Sequence, residues 1–227
     1  MTRLRTRQPR GLRGPQVYEK IKDLIRTGGL GIEMPVSENE IARRLEVSRT
    51  PVREALLRLK SEGWLVERDG KGLVVRALTE AEIGEIYILR EALEGAAARL
   101  AARSASQPEL LALKEVSKAF EEAARRDDDV QELERINARF HALLYRSSNS
   151  EILGRILEPL QNLTRRLPQS IFVYPSRAKE SARDHVEMVA AVVDRDERRA
   201  EDVARAHVSR AREVREMLMA EALVGRP

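Results

Sequence analysis

The sequence predicts a mainly α-helical protein that has a small N-terminal part and a larger, all-helical C-terminal part. Apolar residues recur at helical spacing through most of the 227 residues, whereas the alternation typical of strands is confined to residues 65–76. Residues 1–78 hold 17 Lys and Arg against 10 Asp and Glu, a net charge of +7, while residues 79–227 hold 24 against 27. A chain of this length can bury two separate cores.

Two helices joined by a short turn lie in the basic part. Ser37 and Glu40 form the S-x-x-E pattern of a capping box, in which each side chain bonds the backbone N–H of the other residue at a helix start. Glu46-Val47 is the predicted turn. The second helix opens in Ser48-Arg49-Thr50-Pro51, where proline is tolerated because first-turn amides have no intrahelical partner. A further helix over residues 15–27 completes this part.

A β-hairpin follows the second helix directly. Its strands are residues 65–68 and 73–76, and the turn between them, Asp69-Gly70-Lys71-Gly72, contains the Asp-Gly pair that favours tight hairpins. Helix, turn, helix and hairpin in this order form the plan of a winged helix-turn-helix module, which binds DNA. The alternative is an ordinary amphipathic helix pair with a solvated basic face. The short turn and the arginines at the start of the second helix favour DNA binding, as does the positive charge of this part.

The run VSRTPVREALLRLKSEGWLVERDGKG, residues 47–72, resembles the N-terminal domain of the GntR family of bacterial transcription regulators. The helical remainder resembles the FCD ligand-binding domain of the FadR subfamily. This resemblance implies DNA contacts from the helix start and the wing tip, which correspond to Ser48, Arg49, Thr50, Arg53, Gly70 and Lys71. Arg49 and Arg53 are the expected base readers, because a guanidinium can donate to guanine O6 and N7 together. The resemblance also implies a homodimer on a short palindromic operator in double-stranded DNA.

From residue 79 onward the sequence predicts an antiparallel helical bundle, because the predicted helices are joined mostly by short connections. Capping-box patterns start at Thr79, Ser106 and Ser148, and Asp127-Asp128-Asp129 places negative charge at another helix start. The predicted helices span residues 79–103, 107–125, 129–147, 150–167, 176–194 and 197–222.

The domain prediction is therefore a disordered basic tail over 1–14, a DNA-binding domain over 15–78 and a helical domain over 79–222. The alternative for the tail is an arm that enters the DNA minor groove. The chain has no cysteine, which excludes disulfides and thiolate metal sites and suits a reducing cytoplasm. No apolar run approaches the ~20 residues of a transmembrane helix. The expected location is cytoplasmic, with no membrane partner.

All three histidines of the chain fall on apolar faces of predicted helices. Asn137 and His141 lie one turn apart on one such face. His185 and His207 are each 11 residues from Asp196, the centre of the link between the last two helices, so an antiparallel hairpin brings their rings to one level. A single histidine on an apolar face is usually a satisfied core residue. Three of them from three helices instead predict a metal site.

The pattern N-x-x-F-H, followed by two helix-borne histidines, resembles the metal-binding subset of FCD domains. This resemblance implies the ligands Asn137, His141, His185 and His207, although asparagine stands where aspartate is common in the family. Neutral imidazoles suit Zn, Ni, Cu and Fe(II), with Mn less favoured. The resemblance also implies an effector that is a small organic acid, a carboxylate.

Arg90 lies on the apolar stripe of its predicted helix, where a buried guanidinium needs a partner. That partner is either the effector carboxylate or Glu94 one turn on, and the sequence leaves both open. Further candidates for lining the same cavity are Tyr145, Arg165, Arg166 and Tyr174.

The sequence thus predicts a transcription regulator, a repressor in most relatives, whose operator affinity is controlled by a carboxylate at a metal site. One alternative is a regulator that responds to the metal directly. The other is a hydrolase that uses three histidines and a metal ion. The lack of an evident general base beside the histidines disfavours the hydrolase.

Overall fold

The computed structural model describes Leu12, residues 14–26, 28–127, 129–164, Leu167 and residues 169–224. The tail predicted over residues 1–14 lies outside these residues apart from Leu12 and Gly14. The chain forms two compact units that divide between Ala77 and Leu78. Helices dominate both units, and one antiparallel hairpin follows the first helices, which confirms the predicted fold class.

The first unit contains α1 (Gly14–Arg26), α2 (Glu38–Arg44), α3 (Arg49–Ser61), β1 (Leu65–Arg68) and β2 (Gly72–Val75). Ser37 starts α2 as predicted, because its Oγ accepts the backbone N–H of Glu40 at 3.4 Å. The apolar sides of the three helices and the hairpin meet in one core, whose fully buried members include Val17, Ile21, Ile41, Val52, Leu59, Leu65 and Val75.

The hairpin pairs Leu65 with Val75 and Arg68 with Gly72. Gly70 and Gly72 adopt φ of 73° and 70°, a region that suits glycine because it has no Cβ. The segment before α2 also pairs with the hairpin, since Ile32 bridges to Val75 and Pro35 bridges to Val74. These bridges hold the hairpin, which forms the wing, at the end opposite its turn.

The second unit is a helical bundle of α4 (Glu80–Ser104), α5 (Gln107–Arg125), α6 (Val130–Ser147), α7 (Glu151–Thr164), a short 3-10 helix (Ile171–Val173), α8 (Pro175–Val193) and α9 (Glu197–Val224). Complete capping boxes at Thr79 and Ser106 start α4 and α5, as predicted. The capping box predicted at Ser148 is wrong. Ser148 instead ends α6 and donates its hydroxyl to the Tyr145 carbonyl, because α7 begins only at Glu151.

The bundle core runs from the alanine-rich face of α4 to the facing sides of α5, α6 and α8. Close approach of α4 to α9 depends on Gly95, because a Cβ built there would lie 2.7 Å from Cγ of Arg205. Within the described part of the chain, the helices are too short or too polar to cross a membrane.

Candidate metal centre and DNA-reading surface

The structure brings the three histidines together inside the bundle. His141 lies on α6, His185 on α8 and His207 on α9, and all three are buried. Their ring centroids are 5.7 Å apart for His141 and His185, 5.3 Å for His141 and His207, and 5.0 Å for His185 and His207. One ligand atom from each ring lies within 4.8 Å of the other two. Three helices therefore present imidazole nitrogens to a single point.

Two carboxylates stand behind this cluster. Asp184 Oδ2 lies 3.0 Å from Nδ1 of His207. Glu94 Oε2 lies 3.0 Å from Nδ1 of His141, which is an ion-pair distance, although the carboxylate is off the line of the ring N–H bond. A carboxylate at Nδ1 favours the tautomer that carries its proton there. The lone pair of Nε2 in each ring is then available to a metal ion. Sequence reasoning had considered Glu94 only as a partner for Arg90 and had missed Asp184.

His185 is held by aromatic rings instead. Its ring stacks on Phe140 with a centroid distance of 3.8 Å and an interplanar angle of 14°, and it lies 4.9 Å from the Phe120 ring. Neither of its nitrogens has a hydrogen-bond partner in the described part of the chain. Stacking fixes the plane of the ring, and both nitrogens remain available.

Burial keeps the imidazoles of His185 and His207 uncharged. It lowers the pKa of His185 and of His207 well below the usual value, and the neighbouring histidines and Arg177 act in the same direction. A neutral imidazole is the form that binds a metal ion.

The residues present fit a divalent metal ion. Buried polar atoms normally have a hydrogen-bond partner, and each one that lacks it requires an explanation. Both ring nitrogens of His141 and of His185 lack such a partner among the described residues, as does the equally buried Oδ1 of Asn137. Asn137 and two of the histidines line one cavity. A metal ion would bind one nitrogen of each ring, and a merely structural core would not leave so many polar atoms unsatisfied at one place.

The cavity beside the histidines has a volume of about 60 Å³. Its polar lining comes from α4, α6, α7, the 3-10 segment, α8 and α9, and comprises Arg90, Glu134, Asn137, His141, Gln161, Thr164, Ser170, Ser181, His207 and Arg215 among others. One water needs roughly 10–15 Å³ by this kind of measure, so the space suits a ligand of a few heavy atoms.

Arg90 both pairs with Glu94 and lines the cavity, which are the two roles that the sequence left open. Its Nε donates to Glu94 Oε1 at 2.8 Å, and the side chains of both residues are buried. Burial alone would raise the pKa of Glu94, but the charge of Arg90 outweighs it and, with His141, holds that pKa well below its ordinary range. Arg90 also lines the cavity, although its charge is already balanced by Glu94.

The other cavity candidates from sequence are less informative. Tyr174 donates its hydroxyl to Glu221, and neither Tyr174 nor Tyr145 is among the described residues that line the cavity. Arg165 and Arg166 lie outside the described residues.

The residues expected to contact DNA are all exposed on the first unit. Arg49 and Arg53 stand at the start of α3, beside Ser48 and Thr50, and Gly70 and Lys71 form the tip of the wing. Ser48 starts α3 without using its side chain as a cap, so its hydroxyl remains available to a phosphate.

One carboxylate joins the two arginines of this surface. Glu38, at the start of α2, accepts from Arg53 Nε at 3.1 Å and Nη2 at 3.2 Å, and from Arg49 Nη2 at 3.3 Å. Hydrogen bonds from Arg53 and then Arg49 lower the pKa of Glu38. Because Arg53 uses one edge of its guanidinium for Glu38, its Nη1 stays free for a base. The sequence had suggested no such role for Glu38, since its position also suits a favourable charge at a helix N-terminus.

Comparison with known proteins decides the family. Residues 14–75 match the family described as bacterial regulatory proteins, gntR family, and residues 85–210 match the FCD domain. The chain belongs to the GntR family and carries an FCD domain. It is 30% identical to the HTH-type transcriptional regulator YdhC of Bacillus subtilis over 170 residues, which are 75% of this chain and 76% of that protein. It is 29% identical to the Nta operon transcriptional regulator of Aminobacter aminovorans, over 77% and 81% of the two chains.

Solved structures of GntR-family regulators share the fold. McbR/YncC of Escherichia coli matches with a TM-score of 0.74 at 24% identity, over 90% of this chain and 98% of that one. A GntR-family regulator from Rhodococcus sp. RHA1 matches with a TM-score of 0.67 at 21% identity, over 94% and 99%. This GntR-family chain is thus a DNA-binding transcription regulator, as its relatives are, and the expectation that it is not an enzyme is confirmed.

Proposed function

We propose that this regulator binds a small carboxylate at a divalent metal site in its FCD domain, and that this binding lowers its affinity for operator DNA. The supporting observation is the cluster of His141, His185 and His207, whose buried imidazoles converge beside a cavity. Asn137 belongs to the proposed site as a weak carbonyl ligand or as a hydrogen-bonding neighbour of the metal. The metal is Zn, Ni or Fe, with Mn less favoured by the nitrogen donors.

Each protein group has a separate role in this proposal. A bound divalent ion would supply positive charge and open coordination positions for the carboxylate. His141 and His207 are oriented by Glu94 and Asp184, and His185 by its stacking on Phe140. The three histidines are buried, and a low effective dielectric there would strengthen the attraction between the ion and an anionic ligand.

On the DNA side, we propose that Arg49 and Arg53 read bases in the major groove, and that Ser48 and Thr50 bind phosphates. Gly70 allows close approach of the wing to the sugar-phosphate backbone, and Lys71 adds a phosphate contact.

Loss of Arg49 or of Arg53 should cost about 1–3 kcal/mol of binding free energy and relax the preference at one base position. Loss of Lys71 should weaken binding to all sequences alike and flatten the salt dependence. Lys179→Ala, which removes one charge from the FCD domain, is the matched control.

We also propose that the protein acts as a homodimer on a palindromic operator, because two-fold symmetry in the protein matches two half-sites in the DNA. Exposed apolar side chains on α4 and α7 support self-association. They are Ile88, Leu89, Ile152 and Ile156, with exposed fractions between 47% and 68%. Sedimentation equilibrium of the wild type and of Ile88→Glu tests this, and a wild type that stays monomeric at micromolar concentration refutes it.

The test of the whole proposal joins metal analysis, stability and DNA binding. The purified protein is analysed for metals, and its unfolding temperature is measured with acetate, lactate, malonate, succinate and citrate, before and after chelation. A ligand at a hundredfold excess over its Kd stabilises the folded state by about 2.7 kcal/mol. We expect one acid to raise the unfolding temperature only when metal is present, and to weaken binding to a duplex selected from random DNA with the same protein.

His185→Phe is the informative variant, since a phenyl ring preserves the stack between Phe120 and Phe140 but offers no ligand atom. It should lose the metal and the response to the acid while still binding the selected duplex. Operator affinity that changes with metal alone, without any acid, would support the direct metal-responsive alternative. Equal affinity with and without the acid would remove the proposed effector mechanism.

A further inference from the structure

Arg215 is a buried cation without an ionic partner. It lies on α9, and only 5% of its surface is exposed. Its Nη2 donates to the Gln169 carbonyl at 2.7 Å, but its buried Nε has no hydrogen-bond partner. Among the described residues, no carboxylate lies within ion-pair distance of its guanidinium. Burial of a charge that lacks a counter-charge is costly, so such a group needs an explanation.

The other buried guanidiniums of this domain are compensated. Arg90 pairs with Glu94 at 2.8 Å. Arg177 lies 2.8 Å from Glu180 and 3.7 Å from Asp184. Arg90 and Arg177 are thus each paired with a carboxylate three or four residues away on the same helix, whereas Arg215 has no such partner among the described residues.

The missing partner of Arg215 has a place to bind. Arg215 lines the same cavity as His141 and His207. Two other buried atoms in this lining also lack a partner, namely Ser181 Oγ and Asn137 Oδ1. Glu134 contributes a partly exposed carboxylate to the lining, but it lies beyond ion-pair distance of Arg215. The cavity thus combines a cation in excess with polar groups that are ready to bind a ligand.

We propose that Arg215, rather than Arg90, is the charge-pairing anchor for the carboxylate of the effector. This assignment rests on the carboxylate-responsive function proposed above. A guanidinium donates charge-assisted hydrogen bonds to a carboxylate, whereas a neutral amide of the same shape offers no counter-charge. Arg215 therefore adds to the preference of the site for small acids over their amides. The cavity volume of about 60 Å³ restricts these acids to short ones.

An acid and its primary amide provide the test. Calorimetric affinities for lactate and lactamide, and for malonate and malonamide, are measured on the metal-loaded wild type and on Arg215→Met, Arg215→Lys and Arg212→Met. Arg212 is the matched control, because it is on the same helix but is partly exposed and pairs with Glu216. The metal content and the unfolding temperature of each variant without ligand are recorded in parallel.

For Arg215→Met we expect the affinity for the acid to fall about 10- to 100-fold while the affinity for the amide changes little, because hydrogen bonds to charged groups contribute that much. Its metal content should stay unchanged, and its unfolding temperature without ligand should stay equal or rise, because an unpaired buried charge has been removed. Arg215→Lys should retain part of the selectivity, and Arg212→Met all of it.

The outcomes separate this inference from the function on which it rests. Metal-dependent acid binding that Arg215→Met leaves unchanged overturns the assignment of Arg215 and leaves the proposed function standing. A lower unfolding temperature with intact selectivity for the acid also overturns it, since this is the behaviour of a structural residue. If no acid in the wider panel binds the wild type, the proposed function fails and the assignment fails with it.

Discussion

Acid should destabilise the metal-free FCD domain and spare the DNA-binding domain. Burial lowers the pKa of His185 and His207, so these imidazoles stay uncharged in the folded state while they take up protons in the unfolded state below about pH 6.5. The unfolded state then binds more protons, and the free energy of unfolding falls as the pH falls. Above pH 6.5 neither state takes up these protons, and this contribution to the pH dependence disappears.

The size of the effect follows from the number of histidines that are affected. Each one that remains uncharged in the folded state contributes at most about 1.4 kcal/mol per pH unit. His185 and His207 together therefore give at most about 2.7 kcal/mol per pH unit on the acid side of pH 6.5. His185→Phe should remove about half of this slope, because the other histidine remains buried.

Urea denaturation of metal-free protein between pH 7.5 and 5.5 measures this slope, with an internal control. The single tryptophan, Trp64, is in the first unit, and all three histidines are in the second. Tryptophan fluorescence should therefore report an unfolding transition that hardly changes over this range. The transition in far-UV circular dichroism, which the helical domain dominates, should move to lower urea. A helical transition that is independent of pH, or an equal shift in both signals, would refute the reasoning.

Three further predictions concern single side chains. Asp184→Asn should weaken metal binding about 10- to 100-fold in a chelator competition, because the imidazole of His207 loses the carboxylate that orients it. Unchanged affinity would show that Asp184 does not orient the ring for a metal ion. Gly84→Ala should stabilise α4 by up to about 1 kcal/mol, whereas Gly95→Ala should stabilise it less because the added Cβ would contact α9. Equal effects of the two variants in thermal unfolding would contradict this contact. Glu38→Gln should strengthen binding to random DNA and reduce the preference for the selected duplex, since the two helix-start arginines lose their shared carboxylate. Gel shifts at two salt concentrations measure both affinities, and an unchanged ratio of the two affinities would count against a positioning role for Glu38.

Much of the fold could be predicted because its determinants are local. Thr79 and Ser106 begin helices through contacts that span three residues, and such contacts can be read directly from sequence. Ser148 shows the limit of this reasoning. Its S-x-x-E pattern is as good as the others, but its hydroxyl bonds the preceding turn, and the choice between ending one helix and starting the next depends on how the two helices pack.

In the candidate site, too, local features could be predicted from the sequence and long-range contacts could not. Helical spacing predicted that the three histidines face inward, and the structure brings them together. The contacts from Asp184 to His207 and from Glu94 to His141 join different helices across 23 and 47 positions, so no local pattern reveals them. The unpaired charge of Arg215 was also beyond sequence reasoning, because many residues surround it and the absence of a carboxylate among them is visible only in three dimensions.

The histidines come from stretches of chain that are far apart, since the second follows the first by 44 positions and the third follows the second by 22. An ion held by all three would cross-link α6, α8 and α9, and would close two long loops that the unfolded chain leaves open. The regulator's resistance to proteolysis would then follow the supply of metal in the cell. Metal starvation would then make the protein more susceptible to proteases, whether or not the organic acid is present.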